Sequence, residues 1–155
     1  MSYKVTKEGD EGAPAVKRSF QTFEDLEVYQ VAREFRTAMY AVTRCLPDFE
    51  KYELASQIRR AAVSLTNNMA EGHGRFHYPD QIRFFLHSRG SLEELTDDLN
   101  ICLDEQYLVP EKVSALKEQA LGVLLLLNGY LKFLRSRASS VREEPEMNWD
   151  ELPVL

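Results

Sequence analysis

A chain of 155 residues with 44% apolar content has room for one hydrophobic core and needs no disulfide or metal to staple it. Its net charge of −6 argues against indiscriminate binding to nucleic acid or to an anionic membrane. The charge is uneven: residues 20–137 hold 14 Lys and Arg against 17 Asp and Glu, whereas residues 138–155 hold one Arg against five acids.

Residues 1–19 are polar, contain glycine and lack apolar periodicity, so a disordered lead is expected there. A single helical domain is expected over 20–137, and an acidic tail over 138–155. The first helix opens at "QTFEDLEVYQ", where Thr22 can cap the N-terminus with Asp25 three residues on. Apolar residues recur every three to four positions from Val28 to Leu46, and Pro47 stops the run. A second helix is expected from about Glu50 to Glu71, ending at Gly72 in a left-handed cap. Pro79 suits the first turn of a third helix running to about Gln106, and Pro110 opens a fourth, which frays at "SRASS". No stretch alternates with period two. Four helices of this length joined by short loops predict an all-α, antiparallel up-down-up-down bundle.

Two features exceed what a bundle core needs. On the fourth helix, Leu121, Leu125 and Tyr130 stand beside the core seam and widen its apolar arc, which points to a subunit interface. On the second helix, Glu53, Ser56, Arg60, Ser64, Asn67 and Glu71 fall within one arc opposite the core face, with Arg59 and Asn68 on its shoulders. Ser and Asn are poor choices for a merely wet helix face. Glu71 also sits in the last turn, where the helix dipole disfavours an anion. It is therefore expected to pair with Arg75, Arg83 or Arg89, the last of which falls near the apolar side of the third helix and would need a carboxylate if buried. The ridge reads both as a structural polar network and as a binding surface.

Catalytic and metal patterns are absent. His73 and His77 flank a turn instead of sharing a helix face, and the acids of "GSLEELTDD" lack the Glu-x-x-His spacing of a di-iron bundle. No enzyme, metal or cofactor is expected. Cys45 and Cys102, without CxxC spacing, are expected as buried free thiols. The apolar run from Val123 to Leu127 is too short to span a bilayer, and no signal peptide is apparent, so a cytoplasmic protein without a membrane partner is expected.

The segments "FEDLEVYQVA", "SQIRRAAVSLTNNMAEGHGR" and "FFLHSRGSLEEL" resemble the four-helix bundle, or intervening-sequence (ribosomal S-type), protein family, whose reading frames lie in insertions of bacterial large-subunit rRNA genes. The resemblance covers Phe23 to Arg137. It is carried by Ala70, Glu71, Gly72, Gly74 and Arg75, and by Gly90, Ser91 and Glu94. It implies a helical protomer that assembles as a ring-like homopentamer and has no established catalytic activity. A relative, the accessory variability determinant of diversity-generating retroelements, is a basic pentamer that binds a reverse transcriptase and nucleic acid; this chain departs from it in being acidic.

Two functions are therefore expected to compete. One is an oligomeric scaffold or adaptor acting through protein partners, with Trp149 and Leu152 of the tail as anchors. The other is a nucleic-acid-binding accessory factor using Lys51, Arg59, Arg60, Arg75 and Arg83, with Phe76 and Tyr78 available for stacking.

Overall fold

In the computed structural model, which describes residues 22–142, four helices follow one another: α1 (Glu27–Cys45), α2 (Leu54–His73), α3 (Tyr78–Asp104) and α4 (Pro110–Arg142). The described residues contain no strand. The helices form the antiparallel bundle that the apolar periods predict. α2 packs between α1 and α3, most extensively on α3, and α4 closes the ring between α3 and α1. The lead, with its expected disorder, and most of the acidic tail lie outside the described residues.

The core is one continuous cluster to which all four helices contribute. Phe35 and Met39 of α1, Ile58 and Leu65 of α2, Phe85 and Leu95 of α3, and Val123 and Leu127 of α4 are fully buried. Alanines 61 and 62 on α2 are buried as well and allow its backbone close to its neighbours.

Helix ends differ from expectation in ways that matter for the surface. The Thr22–Asp25 pairing exists, with the Thr22 N–H donating to Asp25 Oδ2 at 2.9 Å, but it closes a short 3-10 turn. Leu26 is extended, and α1 begins after it. α2 starts later than the pattern suggests because Glu50 stands outside it as an anchor. The Leu54 N–H and the Tyr107 hydroxyl both donate to the Glu50 carboxylate, at 3.1 and 2.9 Å, tying the α3–α4 loop to the start of α2.

Gly72 is no left-handed cap. It is helical and buried, and no described glycine has a positive φ. A Cβ there would lie 2.8 Å from Phe84 Cβ, so the missing side chain is what lets α3 turn back directly against α2. The left-handed position is Gln106 instead, at φ 60. There the Tyr107 N–H donates to Cys102 O and the Gln106 N–H to Leu103 O, the paired bonds of a Schellman end. α4 runs on through the serines expected to fray it. The Ser139 and Ser140 hydroxyls donate to the carbonyls of Arg135 and Ser136 one turn back.

Candidate functional site

The polar ridge of α2 divides along its length between two neighbours. Its α3 side is structural. The Ser91 hydroxyl donates to Ser64 Oγ at 2.8 Å, the Asn68 amide donates to the carbonyl and Oγ of Ser64, and the buried Ser88 hydroxyl donates to Leu65 O. Small hydroxyls fit there because they satisfy one another across a seam too tight for longer side chains. On the solvent side, Arg60, Asn67 and Glu71 are exposed.

Of the three arginines expected as partners for Glu71, one meets it. Its partner is Arg75, from the loop, at 2.6 Å, and the side chains are 53% and 44% exposed. The pair is therefore a solvated one of small energetic weight. Arg89 is exposed and has no carboxylate within bridging distance among the described residues. It sits about 120° around α3 from Leu95, outside the buried arc.

One buried charge escaped the sequence reading. Asp98 is only 3% exposed and its Oδ2 has no hydrogen-bond partner. Burial, reinforced by Glu94 and Asp97, pushes its carboxyl up to about 6. The signal was available: Asp98 lies two turns after Ser91 and so on the same flank of α3. Cys102, one turn further, is buried as expected, and burial together with Asp98 and Glu50 pushes its thiol up to about 11, which leaves it unreactive at neutral pH. Cys45, expected to be buried, is exposed near the end of α1.

The candidate nucleic-acid residues separate into two groups. Lys51, Arg59 and Arg60 gather at the start of α2, where the Arg59 guanidinium donates to Lys51 O at 3.0 Å. Arg75 and Arg83 lie at the opposite end of the bundle, stacked over the ring of Phe84 at 4.7 and 5.2 Å, with Arg83 also 3.6 Å from Asp80. Thirteen residues of helical rise from Arg60 to His73, roughly 20 Å, separate the two groups. Phe76 is exposed beside the second, and Tyr78 packs partly onto the core. Arg59 and Arg60 line an open groove of about 510 Å³ together with Tyr40, Val63 and Asn67. A second groove, of about 410 Å³, continues from Tyr40 and Val63 to Arg36 and Arg44 of α1. Neither α1 arginine was singled out from sequence, since nothing in the pattern of α1 alone shows which flank α2 will occupy.

On α4, Leu121 and Leu125 point outward as expected, 52% and 64% exposed. Tyr130 joins them in part, lining the same groove as Leu125 and Phe133. It is half-buried with its ring 4.6 Å from Phe85, and the exposed aromatic one turn on is Phe133. Leu125, Gly129 and Phe133 line a groove of about 340 Å³ against Leu26 and Val28 at the start of α1. Trp149 and Leu152 lie outside the described residues. Among those described, no three His, Cys, Asp or Glu side chains gather into a group that could hold a metal, and no helix is long and apolar enough to cross a membrane.

No curated protein matches the chain. A family model described as 23S rRNA-intervening sequence protein matches residues 24–129, which run from the turn before α1 to the second half of α4. With that span covering most of the bundle, the chain belongs to the 23S rRNA-intervening sequence protein family.

Proposed function

We propose that this protein is a non-enzymatic homo-oligomeric scaffold that works in the cytoplasm, with five copies as the assembly the family resemblance implies. The observation that carries the proposal is the outward apolar strip of α4, where Leu121, Leu125 and Phe133 stand in solvent around the open backbone of Gly129. Large side chains on that arc add nothing to the core, and a facing copy would remove them from water at about 25 cal/mol per Å². Trp149 and Leu152 would serve as the anchors by which the assembled scaffold recruits a protein partner. Light scattering at micromolar concentration tests the assembly. A multiple of 17.9 kDa is expected, and Leu125→Glu should return the mass to the monomer with helical content unchanged. A wild-type mass near 17.9 kDa would remove the proposal.

A second reading, a nucleic-acid-binding accessory factor, is favoured by one observation. Arg59 and Arg60 line an open groove, and among the described residues no carboxylate lies within 4.0 Å of either. The family's description, which names an intervening sequence of 23S rRNA, agrees with that class of partner.

A further inference from the structure

We infer that the outer face shared by α1 and α2 is a binding surface for single-stranded nucleic acid, with Arg36 and Arg44 of α1 acting alongside Arg59 and Arg60 of α2, and with Tyr40 between them. The inference rests on the second reading above and extends it to α1. The two grooves on this face meet at Tyr40 and Val63, so the arginines of both helices border one open channel. Arg36, Tyr40 and Arg44 recur every four residues, which stacks them along one flank of α1. Arg33, three residues before Arg36, continues the row by a further turn.

None of these guanidiniums is neutralised. The ion pairs among the described residues are Glu71–Arg75 and Asp80–Arg83, and neither involves this face. Glu71 borders the lower groove, but its carboxylate is engaged by Arg75. Two of the arginines are instead positioned by neutral acceptors. Arg36 Nη1 donates to Thr66 Oγ1 at 2.7 Å across the α1–α2 seam, and Arg59 Nη2 donates to Lys51 O at 3.0 Å. Such bonds orient the planar fork while leaving its charge available, the arrangement that suits a phosphate oxygen. In a chain of net charge −6, four arginines on one face with no carboxylate within 4.0 Å among the described residues concentrate positive potential where the rest of the molecule opposes it.

Tyr40, half-buried against the core but lining both grooves, decides between a single strand and other polyanions. A channel that follows a backbone with cations and offers a ring for a base is the common form of single-strand recognition. A duplex presents no unstacked base to Tyr40. An acidic peptide would need a deep apolar pocket for its anchors, and both grooves are open along their length.

Fluorescence anisotropy with the full-length protein and a labelled single-stranded RNA 20-mer tests this, with single-stranded DNA, duplex and a synthetic peptide of residues 143–155 as parallel probes. Single strands should bind with a log–log salt slope of roughly −3, as about four phosphate contacts give. Arg44→Glu, on an exposed residue that contacts no other helix through a hydrogen bond, should weaken binding at least tenfold with an unchanged circular dichroism spectrum. Tyr40→Leu should weaken single strands more than duplex. If Arg59→Glu and Arg60→Glu abolish binding while Arg44→Glu and Tyr40→Leu do not, the α2 site stands and its extension to α1 is wrong. No binding of any nucleic acid would overturn both, and binding of the acidic peptide alone would make the face a protein site.

Discussion

The α2–α3 seam and the outer face of α4 reverse the usual distribution of polarity. The seam is the most extensive contact in the bundle, yet serine and glycine run through it, in the Ser64–Ser91 and Ser88–Leu65 hydrogen bonds and the bare backbone of Gly72. The α4 face is open to solvent, yet leucine and phenylalanine occupy it. A polar group may be buried at little cost when its partner is supplied, so small hydroxyls let two helices approach more closely than leucines would. An apolar group on the outside gains nothing within the protomer. The seam therefore holds the protomer together, and the α4 face is available to hold protomers to one another.

Four substitutions would break or sharpen this contrast on the side of α2 and α3, in addition to the Leu125→Glu test on α4. The largest effect is expected at Gly72. Gly72→Ala places a Cβ 2.8 Å from Phe84 Cβ and 3.1 Å from the Phe85 ring, so α2 and α3 must separate, at a cost of about 2–3 kcal/mol in denaturant unfolding. Gly90→Ala, on the same pair of helices but with nothing within 4 Å of the added methyl, should instead stabilise by up to about 1 kcal/mol through helix propensity. Equal losses at both glycines would show that close approach is not what Gly72 provides.

Asp98 is the seam's one unfilled hydrogen bond, and its effect depends on pH. Its carboxyl is pushed up to about 6, mainly by burial, so the folded chain retains a proton that the unfolded chain has released above about pH 4. The stability this contributes is complete below about pH 4 and is lost as pH rises through 6. Asp98→Asn should therefore raise stability by roughly 1–2 kcal/mol at pH 8 and flatten the profile between pH 4 and 6. An unchanged slope in that window would show that Asp98 does not carry the titration.

The smallest effect belongs to the Glu71–Arg75 pair. Both side chains are about half exposed, so Glu71→Ala should cost less than about 1 kcal/mol, and thermal melts in low and high salt should differ little. A loss of about 3 kcal/mol or more would mean that the pair becomes buried, as it would in an assembled oligomer whose neighbour covers the ridge.

Much of the bundle could be read from residue spacing. Val28, Ala32, Phe35, Met39 and Val42 return to one side of α1 every three to four residues and are all buried, and Pro79 and Pro110 stand in the first turns of α3 and α4. The outward position of Leu121 and Leu125 was legible for the same reason, since each lies well away from the direction of Val123 and Leu127 on a single helix. Tyr130 is half-buried because it falls on the border of the arc, where the neighbouring Phe85 and not the spacing decides which way a ring turns. Gly72 was misjudged because a glycine near a helix end has two uses, a left-handed cap or a close approach, and only the path of the following helix distinguishes them.

By itself, then, the order of residues determined the four helices, their approximate ends, their buried faces and the family to which the chain belongs. Periodicity is a local property, and it reports direction around each helix's own axis. Tertiary structure alone decided which flank of one helix meets which flank of another. That decision bound Ser64 to Ser91, left Glu71 to the loop arginine, and brought Arg36 and Arg44 beside the groove of Arg59 and Arg60. Those pairings depend on how all four apolar faces close together around one core, and no single helix contains that information.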